Sequence, residues 1–230
     1  MANDRTKQAL PTGVQGKILE LVENGVDFSV WRSDFSLSKA ATKQVHFIFL
    51  GRLIDWKAVD LLLEAFVAVV AQTNVILEII GDGDIRGELE AQTARLGIDS
   101  SVIFSGWLFQ EQCALKMQQA DTMIFPSLRE CGGAVVMEVM AVGLPVIATN
   151  WGGPADYLDS TCGILVEPSS REGFVKGLTE AMLKLAQSPE LRESMGSAGY
   201  SRVRELFDWE RKVDRMIEIY QQTIDACPKH

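Results

Sequence analysis

Histidine is almost missing from this chain: His46 and His230 are the only two in 230 residues. A histidine-built zinc site or a Ser-His-Asp triad has little to be made from within it. Cysteine is scarce as well. Cys113, Cys131, Cys162 and Cys227 form no Cys-x-x-Cys pair, and none lies near a histidine. The spacing reads as reduced thiols of a cytoplasmic protein rather than a disulfide framework. Long apolar runs are absent too, so no membrane span is expected. Met1–Leu10 is polar and lacks the apolar stretch of a secretion signal. Positive charge is in deficit, with 22 Lys and Arg against 31 Asp and Glu, a net charge of −9 and a pI near 4.8. A nucleic-acid partner or an anionic membrane surface, both of which need a broad basic face, is therefore excluded as the main partner.

What is present is ordinary for a globular protein: 47% apolar and 23% charged residues. Disorder, collagen and coiled coil are excluded as the dominant state. The length suits one large domain, which buries roughly 70% of its unfolded surface. The charge is unevenly spread. Residues 45–170 hold sixteen acidic side chains and only six cations, namely Arg52, Lys57, Arg86, Arg95, Lys116 and Arg129.

Short apolar runs alternate with helical patterns. Val45–Leu50, Val75–Ile80, Ser101–Ser105, Asp121–Phe125, Pro145–Thr149 and Gly163–Val166 read as strands. They are near-continuous apolar runs, as parallel strands buried on both faces require. Helical patterns fall at about 59–72, 84–96, 111–119 and 134–142. The alternation predicts a doubly wound, Rossmann-like α/β sheet. From Arg171 onward the pattern is all helical, in three segments. Ser188-Pro189 marks the start of the second, with proline at the first helical position. Met1–Gly16 has no periodicity and reads as a flexible lead-in, and Gly152-Gly153-Pro154 reads either as a turn or as part of the lining of a ligand crevice at the strand ends.

In such sheets, ligands bind beyond the carboxyl ends of the strands. Two of the six cations of the acidic middle, Arg52 and Lys57, fall in the loop after the first strand, beginning at Gly51. A guanidinium fork and a point-like ammonium together suit a diphosphate. Gly81 and Gly83 follow the second strand. Arg86 stands where a dinucleotide-binding glycine would be needed, so they suit close backbone approach to a ligand rather than NAD binding. After the fourth strand comes Glu130-Cys131-Gly132-Gly133-Ala134-Val135. Gly132 and Gly133 lie where the next helix begins, and free N–H groups there attract anions. Glu138 lies over one turn in, among Val135, Val136, Met137, Val139 and Met140. A carboxylate so placed is costly without partners. Carboxylates such as those of Glu130 and Glu138 accept two hydrogen bonds side by side, which suits a cis-diol or neighbouring sugar hydroxyls.

Taken in order, these segments resemble the C-terminal, donor-nucleotide-binding domain of family 4 retaining glycosyltransferases of GT-B fold. The resemblance rests on Gly51-Arg52 with Lys57, on Gly81-x-Gly83, and on Glu130 with Glu138 ahead of Gly143-Leu144-Pro145-Val146. Gly152-Gly153-Pro154 and Phe207–Trp209 also match, and the likeness covers about residues 24–220. It implies catalytic roles for Arg52, Lys57 and Glu130. Arg52 and Lys57 would hold the donor diphosphate, and Glu130 sugar hydroxyls. The backbone at Gly132–Ala134, with Val135 beside it, would meet the diphosphate or sugar, and Glu138 the ribose diol. The base would sit near Trp107-Leu108. No metal or other cofactor is implied, only a nucleotide-sugar donor such as a UDP-, GDP- or ADP-sugar.

The resemblance divides the chain into residues 1–44 as lead-in and interdomain linker, 45–206 as the nucleotide-sugar-binding domain and 207–230 as a crossover helix and tail. Asn24-Gly25-Val26-Asp27 resembles the linker. The acceptor-binding N-terminal domain is expected to be missing from the chain. Hexosyl transfer would then be weak or absent in this half alone, and any membrane-peripheral placement would come through the missing half. The alternative is a non-catalytic nucleotide-sugar-binding or assembly module of the same fold. Three positions depart from the family pattern. Ala58 stands where a glycine usually follows the lysine, Cys131-Gly132 follows the first glutamate, and Asp156 replaces a commoner glutamate.

Overall fold

A computed structural model describes residues 4–15, 17–22, 24–32 and 44–226. Cys227, His230 and most of the linker tail at 33–43 lie outside the described residues. A short helix, α1 (Asp4–Gln8), falls in the stretch expected to be an aperiodic lead-in.

The alternating core follows as β1 (Val45–Leu50), α2 (Val59–Val70), β2 (Val75–Ile80), α3 (Arg86–Leu96), β3 (Val102–Gly106) and α4 (Gln110–Gln119). Then come β4 (Thr122–Phe125), α5 (Ala134–Ala141), β5 (Val146–Thr149), α6 (Gly152–Tyr157) and β6 (Gly163–Val166). Three long helices close the chain: α7 (Arg171–Gln187), α8 (Pro189–Leu206) and α9 (Trp209–Ala226). Predicted and observed strands agree to within one residue at each end.

The sheet is parallel, in the order β3-β2-β1-β4-β5-β6. This is the Rossmann-like doubly wound order, with its switch point between β1 and β4. The four inner strands, β1, β2, β4 and β5, serve two cores by alternation. Phe47, Phe49, Leu77, Ile79, Ile124 and Ile147 join a cluster under α2 and α7. Ile48, Met123, Phe125, Val146 and Ala148 join the opposite cluster with α4, α5 and α8. Burial on both faces is why these strands read as unbroken apolar runs.

Glu78 interrupts one run. It is 2% exposed and faces the α4 layer. Ser105 Oγ donates to it at 2.5 Å, and Lys116 Nζ lies 2.8 Å away. His46 Nε2 lies 3.0 Å from its other oxygen. Burial pushes the Glu78 carboxyl up, but the bonds from Lys116 and Ser105 outweigh it and hold it below its ordinary range.

Serines cap α7 and α8: Ser170 Oγ accepts from the Gly173 N–H at 3.0 Å, and Ser188 Oγ from the Leu191 N–H at 3.3 Å. On α9, Val213, Ile217, Tyr220 and Ile224 form an exposed apolar stripe. Among the described residues, no helix is long and apolar enough to cross a membrane.

Candidate functional site

The loops after β1 and β4 leave the sheet side by side at the switch point. The first winds through a 3-10 turn at Asp55–Lys57 and enters α2 at Ala58, whose backbone is left-handed (φ 51, ψ 36). A glycine fits that conformation better, which accounts for the residue the resemblance expects there. The second loop runs 126–133 and enters α5 at Gly133 (φ 67), again left-handed, so no side chain caps that helix.

Between them lies a cavity of about 300 Å³, lined by Leu50, Gly51, Lys57, Phe125, Glu130, Gly133, Ala134, Val135 and Glu138. Lys57 Nζ is 2.5 Å from Glu130 Oε2, each side chain 16% exposed, and 4.9 Å from the centre of the Phe125 ring. The ammonium is therefore held at the cavity floor by a carboxylate and an aromatic face. Glu138 makes no hydrogen bond or ion pair among the described residues. Burial alone pushes its carboxyl up to about 7. The site thus holds a fixed cation, an uncapped helix start and a carboxylate without a protein partner. That set can take a diphosphate and a pair of hydroxyls.

Seven of the predicted residues meet here: Gly51, Lys57, Glu130, Gly133, Ala134, Val135 and Glu138. Arg52 stands apart from the cavity. Its side chain is 68% exposed, and its guanidinium lies 4.0 Å from Asp84. Gly81 and Gly83 pack against the β1–α2 loop. A Cβ on Gly81 would lie 1.9 Å from the Gly51 carbonyl oxygen, and one on Gly83 2.2 Å from that of Leu53. Trp107 is exposed beside Phe109, their ring centres 4.6 Å apart, and Leu108 packs inward. Gly132 lies behind the cavity wall, against Asn24. Trp56 and Trp151 are half exposed on the loops after β1 and β5. Cys131 is exposed; Cys113 and Cys162 are buried and free.

Two features were not read from the sequence. Phe125 was counted only as strand core. Gly152-Gly153-Pro154, expected as a turn, forms the first turn of α6. These glycines allow α6 to press on the glutamate loop. A Cβ on either would lie 1.7 Å from a carbonyl oxygen, that of Glu130 or of Gly132. Gly153→Ala is expected to cost about 2 kcal/mol or more and to lower the melting temperature by several degrees. An unchanged melting curve would show that the loop yields freely.

A larger cavity, about 370 Å³, opens between β6 and α7 and is lined by Val166, Glu167, Gly177, Lys184 and neighbours. It holds none of the predicted residues.

The fold is shared with known proteins. The fold is one Rossmann-like half of a GT-B architecture. The structure is similar to Anabaena HepE in complex with UDP and glucose (TM-score 0.75, 21% identity), over 91% of this chain and 57% of that one. It is also similar to the C-terminal domain of a glycosyl transferase group 1 family protein, LpcC, from Francisella tularensis (TM-score 0.69, 22% identity), over 80% of this chain and 100% of that one. Residues 32–202 match the family model described as glycosyl transferases group 1, and the chain belongs to that family. A curated relative, D-inositol 3-phosphate glycosyltransferase of Streptomyces avermitilis, is 30% identical over 190 residues, 78% of this chain and 40% of that protein. The chain spans less than half the length of the curated relatives it matches.

Proposed function

We propose that this chain is the donor-binding part of a retaining glycosyltransferase, taking a nucleoside diphosphate sugar. The observation that carries the reading is the convergence of Lys57, Glu130, Glu138 and the start of α5 on one cavity at the switch point. Lys57 and the N–H groups at Gly133–Val135 take the diphosphate. Arg52, now lying by Asp84, turns in as a second cation. Glu138 accepts from the ribose diol and Glu130 from sugar hydroxyls. Trp107 and Leu108 border the base. As the glycosidic bond breaks, charge gathers on the leaving diphosphate, and cations already in place stabilise it. The acceptor hydroxyl, a hexosyl donor and the acceptor-binding half complete the proposal. They are supported by the names of relatives more than twice as long as the matched part.

Binding is proposed to need no metal. The diphosphate charge instead meets Lys57, Arg52 and the helix start. Titration calorimetry with UDP, GDP and ADP, with and without EDTA, tests this. One of the three is expected to bind, with the same affinity in chelator. No heat from any of them defeats the donor reading. A tenfold loss in EDTA defeats the metal-free form of it.

A further inference from the structure

Asn24 sits far from the cavity in sequence, yet its amide reaches the back of the cavity wall. The backbone around it is held from several sides. The Val26 N–H donates to the Phe207 carbonyl at 2.8 Å, and the Trp209 N–H donates back to Val26 at 3.2 Å. Lys212, buried on α9, donates to the carbonyls of Val22 and Asn24, and its ammonium lies 4.8 Å from the centre of the Trp209 ring. Gly25 lets that ring close in, since a Cβ there would lie 2.8 Å from it.

With its backbone fixed, Asn24 extends its side chain toward the glutamate loop. Nδ2 donates to the Tyr157 hydroxyl at 2.9 Å. The same nitrogen would stand 2.4 Å from a Cβ built on Gly132. Tyr157 is a firm anchor: it is buried, and its ring meets Phe207 edge-on at 5.4 Å. Gly132 and Gly133, by contrast, have wide backbone freedom.

We infer that Asn24 is a positioning residue for the loop 130–133, joining the cavity to the segment clasped by α9. It acts by limiting the loop conformations that a ligand must otherwise order on binding. The ligand arm of this inference rests on the donor reading above; the loop-restraint arm does not.

Cys131, exposed within the loop, supplies the probe. Its alkylation rate in the ligand-free chain is measured by peptide mapping, alongside titrations with UDP, GDP and ADP. Asn24→Ala is expected to raise the Cys131 rate about threefold or more, and to weaken the ligand that binds the parent about five- to tenfold. Tyr157→Phe, which removes only the anchoring hydroxyl, should shift both in the same direction by a smaller factor. Thr179→Val is the control. It deletes a hydrogen bond of 3.1 Å to the Ala65 carbonyl, away from the loop, and should leave both readouts at parent values. Parent-like labelling and affinity in both Asn24→Ala and Tyr157→Phe overturn the inference. So does Thr179→Val matching Asn24→Ala, since the effect is then general loosening. If the parent binds none of the three nucleotides while Asn24→Ala still speeds labelling, the donor reading falls and the positioning role stands.

Discussion

Replacing Glu138 by glutamine is expected to raise the melting temperature of the ligand-free protein at pH 8 and, in the same protein, to weaken nucleoside diphosphate binding. The carboxyl is pushed up to about 7 by burial. Because its folded value is raised, the folded chain holds a proton that the unfolded chain has already released. Stability therefore falls as pH climbs from an ordinary glutamate value toward 7, and levels off above it. At about 1.4 kcal/mol per pH unit, the cost above pH 7 is on the order of 1–3 kcal/mol after allowing for partial exposure. Glutamine removes the charge at similar size, which corresponds to roughly 2–8 °C in a chain of this length. Binding moves the other way. A diol needs two acceptor oxygens, so parent affinity should drop as pH falls below about 7, approaching tenfold per unit, and the variant should lack that slope. Thermal melts and calorimetry between pH 6 and 8.5 read both effects. A variant with parent-like melting and a parent-like pH profile removes Glu138 from the site.

Lys57 carries the second large effect. Lys57→Ala leaves the Glu130 carboxylate in the cavity without its partner at 2.5 Å. Breaking a buried pair costs about 3–5 kcal/mol, and 16% exposure of each side chain lowers that to about half. A melting loss of several degrees and a tenfold or greater loss of affinity are expected together. Lys57→Ala combined with Glu130→Ala separates them: melting should recover toward the parent, whereas binding should not. A double variant that regains binding would show that the ammonium serves only the ion pair. Arg52→Ala makes the useful comparison. With that side chain 68% exposed, its loss should leave melting unchanged and reduce affinity by a smaller factor.

The parts of this molecule that depend on local pattern were legible. Period-two burial on both faces wrote β1, β2, β4 and β5 as apolar runs. Ser188, ahead of Pro189, announced α8 through capping chemistry. The cavity residues were legible because β-strand ends in this topology converge whatever the loop sequences are. What escaped the reading depends on close approach between distant segments. Gly81 and Gly83 suggested room for a ligand, yet their missing side chains are filled by the backbone of the β1–α2 loop. Gly152-Gly153-Pro154 carries turn chemistry but forms a helix start, because packing on Glu130 and Gly132 overrides local preference. Glu78 interrupts an apolar strand, and its partners come from β1, β3 and α4. Neither Asn24 nor Gly132 hints at the other, since their contact depends on the packing of α6 and α9 around residues 22–26.

The placement of tryptophan has a practical consequence. Trp31 is buried, whereas Trp56, Trp107 and Trp151 stand half exposed or more at the carboxyl edge of the sheet, around the proposed donor cavity, and Trp209 opens α9. Four of the five indoles are therefore solvent-facing, three of them on loops at the edge of the sheet that carries the proposed donor cavity. The chain carries a built-in optical reporter, and stopped-flow quenching can follow association on the millisecond scale without any label.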